Sequence, residues 1–132
     1  IREQMYQKLP GLLLNFIKEG GREVLQIDSK NRITLTRGDT AVLKLYLKDA
    51  RDKSVHIGEN CSCIMTVKEN TDTDLALIQI TAKDGSFTFL PEHTKHMKYG
   101  NYVYDVQVTM DEGNVYTVIP PSRFTIGEEV TW

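Results

Sequence analysis

Cysteine is nearly missing from this chain, with Cys61 and Cys63 the only two in 132 residues. As positions i and i+2 of a strand they share a face but sit too far apart for an unstrained disulfide. The chain therefore has no disulfide framework of the kind that staples small secreted domains. Two thiolates also fall short of the four ligands a structural zinc site normally needs, so the pair reads as plain buried or half-buried thiols. Long apolar runs are missing too. Leu12-Leu13-Leu14-Asn15-Phe16-Ile17 is the longest near-apolar stretch, far below the ~20 residues of a membrane-spanning helix. Asn15 interrupts it and no small-residue cleavage site follows, so it makes a poor secretory signal. A start at Ile1 rather than Met reads as a trimmed or processed chain. Neither charge is in excess: Lys+Arg is 16 against Asp+Glu 18, a formal net charge of −2. A dedicated nucleic-acid or anionic-membrane binder would show a basic surplus.

Catalytic signatures are equally scarce. There is no Gly-x-Ser-x-Gly elbow, phosphate-binding loop, His-Glu-x-x-His or dinucleotide fingerprint. His93 and His96 are spaced to share a face of a helical turn. A third metal ligand would have to come from Glu92 or the distant His56, so a solvated turn is the simpler reading. Lys95, Lys98 and Tyr99 add a small basic and aromatic cluster of ordinary surface type. Asp72-Thr73-Asp74 opens like a calcium loop, but the positions that need Gly and Glu hold Leu77 and Lys83. Asp105, beside Gln107 and Thr109 on the polar face of a strand, is a cross-strand hydrogen-bond partner rather than a general base. No nucleophile has both a base and an orienting group. The expectation is a non-enzyme with no cofactor and no metal.

What is present is ordinary globular composition, 40% hydrophobic and 26% charged, at a length suited to one domain. Residues 1–23 stand apart as an N-terminal arm. Met5, Leu9, Leu12, Leu13, Phe16 and Ile17 recur at helical spacing, with Gly20-Gly21 as a stop and Pro10-Gly11 as a kink. This predicts a short amphipathic helical segment. Its apolar stripe either packs on its own domain or docks on a neighbour, with Met5, Leu9, Leu13, Phe16 and Ile17 as the partner contacts.

From residue 24 the period changes to two. Val24–Ile27, Arg32–Thr36, Ala41–Lys48, the run Cys61 to Val67, Ser86–Leu90, Asn101–Met110, Val115–Ile119 and Arg123–Ile126 all read as strands. Leu75–Thr81 joins them through the β-branched residues at its end. Asp28–Asn31, Arg37–Thr40, Asp84-Gly85 and Asp111–Asn114 supply turns. Pro91–Tyr99 reads as a helical turn between layers. Pro120-Pro121 interrupts pairing, because neither can donate to a ladder. Short strands at regular spacing predict an antiparallel β-sandwich over residues 24–132. The segment Met97-Lys-Tyr-Gly100-Asn-Tyr102-Val-Tyr104 resembles the corner entering strand F of immunoglobulin-like domains, where a Tyr hydroxyl bonds to backbone a few residues upstream. That role falls to Tyr102, with Gly100 in the turn, and the expected fold is an all-β, immunoglobulin-like sandwich.

A longer resemblance runs from Arg32 to Trp132. Its blocks are Ile33-Thr-Leu-Thr-Arg-Gly-Asp-Thr40; Met65-Thr-Val-Lys68 with the Thr- and Asp-rich loop and Leu77-Ile-Gln79; Gly100-Asn-Tyr-Val-Tyr-Asp-Val-Gln107; Val115-Tyr-Thr-Val118; Phe124-Thr-Ile126; and Glu129-Val-Thr131. In order and spacing these resemble the N-terminal immunoglobulin-like domain of baseplate upper proteins, tail-tip components of phages and prophages of Gram-positive bacteria. Residues 1–31 fall outside the resemblance. The helical and coiled-coil parts that follow this domain in full-length baseplate proteins have no counterpart, which suits a stand-alone relative. The resemblance implies a structural module of a phage tail, made in the bacterial cytoplasm and carried in the virion. Its partners would be other tail proteins or copies of itself, with no nucleic acid and no membrane. The alternatives are a carbohydrate-binding sandwich using Tyr46, Tyr99, Tyr116 and Trp132, and an immunoglobulin-like spacer of a bacterial surface protein.

Overall fold

The computed structural model describes residues 12–19, 25–49, 54–58 and 61–128. They form ten strands and one helical turn: β1 (Leu12–Glu19), β2 (Leu25–Ile27), β3 (Ile33–Thr36), β4 (Ala41–Asp49), β5 (Ser54–Val55), β6 (Cys61–Lys68), β7 (Ala76–Thr81), β8 (Ser86–Phe89), α1 (Pro91–Thr94), β9 (Gly100–Met110) and β10 (Val115–Gly127). Two sheets result. One is built around β4, which carries β1 along one side and β8 and β5 on the other. The other has the order β2-β3-β10-β9-β6-β7. All its ladders are antiparallel except β3 with β10, which runs parallel from Ile33↔Phe124 to Gly127↔Thr36.

Period-two alternation makes the core. Leu43, Leu45 and Leu47 from β4 and Phe87 and Phe89 from β8 are buried against Ile33, Leu35, Met65, Val67, Val106, Val108 and Phe124 of the second sheet. A ring pair joins the layers, with Phe89 and Phe124 5.8 Å apart, and within the larger sheet Tyr104 meets Phe124 edge-on at 5.9 Å. A buried side chain of this size contributes roughly 1.5–3 kcal/mol through removal from water. The architecture is all-β with two facing sheets, as the alternation predicts.

The N-terminal segment differs from its prediction. Residues 12–19 are not helical but form β1, paired with β4 at eight positions from Leu12↔Asp49 to Glu19↔Val42. Leu13, Phe16 and Ile17 thus lie on a strand of the first sheet, while Met5 and Leu9 fall outside the described residues. The reason is a free ladder. Without β1 the long strand β4 would leave a row of backbone N–H and C=O groups unpaired on one side, and this segment satisfies them. In the register Leu14 and Phe16 stand opposite the buried Leu47 and Leu45.

Pro120-Pro121 also behaves differently from a break. β10 runs through both prolines, and its register against β9 slips between Thr117 and Ile119 and again between Ile119 and Ser122. Bulges leave the prolines without ladder partners while the strand continues. The Asp84-Gly85 turn has the positive φ angles of a two-residue hairpin, 52° and 81°. Yet β7 and β8 belong to different sheets, so the turn carries the chain across the sandwich. Gly85 is required twice over: a Cβ there would lie 3.2 Å from the Leu45 carbonyl oxygen in addition to the backbone strain. β5 and the Ile57↔Cys61 bridge have no counterpart in the sequence reading.

Candidate functional site

Several hydrogen bonds converge on the corner between α1 and β9. The Leu90 N–H donates to His93 Nδ1 at 2.8 Å, and the His93 N–H returns to the Leu90 carbonyl at 2.9 Å. Thr94 is fully buried and its Oγ1 accepts the Gly38 N–H at 2.8 Å, tying the helical turn to the β3–β4 turn. Arg37 donates from Nη1 to the Met97 carbonyl at 3.2 Å, and its guanidinium lies 4.2 Å above the Tyr99 ring. Tyr102 Oη donates to the Lys98 carbonyl at 2.7 Å, four residues upstream. Gly100 enters β9 with φ of 136°, a conformation L-residues rarely adopt.

This bonding decides the chemistry of the corner. The Nδ1 lone pair of His93 is occupied by a backbone N–H, so it acts as a helix cap and not as a ligand. His96 is exposed. Among the described residues no group of three or more His, Cys, Asp or Glu side chains is placed to hold a metal ion. Asp72-Thr73-Asp74 forms side-chain turns with Asn70 and Leu75: the Asp72 N–H donates to Asn70 Oδ1 at 2.9 Å and the Leu75 N–H to Thr73 Oγ1 at 3.1 Å.

A second polar link lies inside. Tyr104 is 1% exposed, and its hydroxyl donates to the Asn31 carbonyl at 2.5 Å, across 73 residues of sequence. Asn31 is itself buried with φ of 64° and closes the β2–β3 turn. Burial, with the Asp28 charge as a lesser cause, raises the phenol far above its ordinary range, so it stays a neutral donor. Cys61 and Cys63 are free and buried. Burial pushes both thiols up, which makes them poor nucleophiles.

On the outer face of β6 and β9 a hollow of ≈ 110 Å³ is lined by Thr66, Lys68, Asn70, Val103, Asp105 and Pro121 among others. Asp105 stands opposite Thr66, and Lys68 opposite Val103. Burial raises the Asp105 carboxyl, and Lys68 pulls it back only in part. Asp105 is thus a half-buried carboxyl on the floor of the hollow, with the Thr66 hydroxyl and the Lys68 amine lining the same hollow.

The aromatic residues considered for sugar binding are scattered. Tyr46 is on β4 with Lys44 Nζ 5.4 Å from its ring, Tyr99 is held by Arg37, and Tyr116 packs against the core. Trp132 lies outside the described residues.

The open edge of β7 is the remaining feature. The Ala82 N–H donates to the Cys63 carbonyl at 2.9 Å. With the two-residue period of an antiparallel ladder, Ile80 and Ile78 turn their backbone groups toward β6, and Gln79 and Thr81 turn theirs outward. No described strand pairs with that side. The edge carries no charge or proline from Leu75 to Ala82, and Leu75 is 66% exposed. Charge and proline are the usual protections of such an edge. Sequence reading recognised the strand but could not name it as the last one in its sheet.

No family model matches the chain, and no curated protein matches it. Among solved structures it is similar to that described as the crystal structure of CopC from Methylosinus trichosporium OB3b, at 9% identity and a TM-score of 0.42, over 89% of this chain and 99% of that one. At that distance the likeness carries no functional argument.

Proposed function

We propose that this chain is a non-enzymatic assembly module of a phage or prophage tail baseplate, built on an immunoglobulin-like sandwich. Two features support the immunoglobulin-like assignment: the Tyr102 bond to the Lys98 carbonyl at the entry to β9, and the hydrogen-bonded order β3-β10-β9-β6. The tail assignment rests on the blocks of residues between Ile33 and Thr131. The observation that carries the assembly role is the open β7 edge.

That edge is self-complementary. Antiparallel pairing of two copies about a two-fold axis at Gln79 sets the outward N–H and C=O of each Gln79 against the other, and sets residue 77 against Thr81. Such a contact is closed and uses one patch twice. The test is light scattering on a size-exclusion column over a range of concentrations. Gln79→Pro removes an outward donor and leaves the backbone ladder to β6 in place, at the loss of the Gln79 Nε2 bond to Thr66 Oγ1, and Thr81→Lys charges the same edge. A concentration-dependent dimer that both variants convert to a monomer that still unfolds cooperatively supports the reading. A chain that is monomeric at every concentration, or a dimer indifferent to both variants, overturns it.

A further inference from the structure

The outer face of β2, β3 and β10 holds a second hollow, of ≈ 320 Å³, lined by Gln26, Asp28, Arg32, Thr34, Arg123 and Thr125. β3 and β10 run parallel with Ile33 opposite Phe124 and Thr34 opposite Thr125. Continuing that register back by one residue sets Arg32 beside Arg123, both exposed and on the same face. Like charges opposite one another across neighbouring strands destabilise a sheet. One of the two is answered. Asp28 Oδ2 accepts from Arg32 Nε at 2.6 Å, and Oδ1 accepts the N–H groups of Lys30 and Arg32 at 2.9 Å each. The Asp28 carboxylate is thus committed to its own turn. Among the described residues Arg123 has no ion-pair partner.

We propose that this hollow binds a small tetrahedral oxyanion, phosphate or sulfate, between the Arg123 guanidinium and the Nη groups of Arg32. A guanidinium offers a planar fork of donors that matches two oxygens of such an ion at once. Arg32 has already given its Nε to Asp28, which fixes its plane and leaves its Nη groups for the ion. The Thr34 hydroxyl, on β3 two residues along from Arg32 and also lining the hollow, is the neutral donor. The anion answers the charge on Arg123, which Asp28, committed to Arg32, leaves uncompensated. The site lies on the opposite side of its sheet order from the β7 edge, and its occupancy does not depend on assembly.

The experiment is an amide-resolved NMR titration of the full chain with inorganic phosphate, sulfate and methyl phosphate, at ionic strength held constant with sodium chloride. The expected result is saturable shifts at residues 26–34 and 122–125. Arg123→Gln weakens binding about tenfold or more, as loss of a charge-assisted bond should. Arg123→Lys falls between, keeping the charge and losing the fork. Both are exposed substitutions whose unperturbed spectra report that the fold is intact. Methyl phosphate binding as well as the free ion would assign the site to a phosphate group carried by a larger molecule. Binding of the inorganic ions alone would assign it to a free ion. Shifts that chloride reproduces, or that persist at full strength in Arg123→Gln, overturn the proposal.

Discussion

In the six-stranded sheet each strand hands over to the next, β2-β3-β10-β9-β6-β7, whereas in the four-stranded sheet every ladder ends on β4. The difference matters for how each fails. A fault at the end of the larger sheet costs one ladder and leaves the rest paired. A fault in β4 releases β1, β5 and β8 together, and with β8 go the buried rings of Phe87 and Phe89. The larger sheet is also pinned from inside by Tyr104, which reaches from β9 to the β2–β3 turn.

The strongest way to break this comparison is to delete residues 1–21. An independent arm would leave the sandwich intact, but β1 covers eight positions of β4. We expect the cooperative thermal transition to be lost, followed by circular dichroism. A truncated chain that melts like the full one would mean β4 does not need its partner. Next in size is a matched pair of core truncations. Leu45→Ala, in the hub strand, should cost about 3–5 kcal/mol in urea unfolding, and Ile80→Ala, in the edge strand β7, about 2 kcal/mol. Equal costs would remove the distinction between hub and edge.

Smaller effects sharpen the contrast between the two tyrosines. Tyr104→Phe leaves the buried Asn31 carbonyl without its donor and should cost about 1–3 kcal/mol. Tyr102→Phe removes a bond at the exposed corner, where water replaces it, and should cost about 1 kcal/mol or less. A reversed order would mean that the corner, not the internal link, holds β9 in place.

The smallest effect separates two carboxylates by pH. Burial pushes the Asp28 carboxyl up, but the hydrogen bonds from Arg32 and Lys30 outweigh it and hold it below the ordinary value of 3.8. Its stabilising contribution is present above that value and is lost as pH falls through the native pKa. Asp105 is shifted the other way by burial. Its folded form prefers the proton, so stability falls as pH rises from 3.8 through the raised native value. Asp105→Asn should therefore raise the melting temperature at pH 7 and not at pH 3. A gain at both would place the effect in packing rather than in charge.

Much of this fold is written in local pattern. The alternation of residues 41–48 and 101–110 marks which side chains enter the core, and Asp84-Gly85 states its turn type outright. The N-terminal run misleads for a physical reason. Leu12, Leu13, Phe16 and Ile17 fit a helical face, and a short apolar run fits a buried strand equally well. Only the vacant side of β4 separates the two. The corner was half legible: Gly100 and Tyr102 sit in a recognisable segment, whereas Arg37 and Thr94 carry no local mark of a contact spanning 60 and 56 residues.

By itself the sequence determined the strand periods, the turns, the apolar inventory and the balance of charge, because these depend on residues within a few positions of one another. The tertiary structure alone decided that β1 completes β4, that β3 runs parallel to β10 and so sets Arg32 beside Arg123, and that β7 is the last of the described strands in its sheet. Those outcomes depend on where ladders can still be satisfied once the core has closed. A chain that must pair every buried backbone group settles that question only when all its strands compete at once.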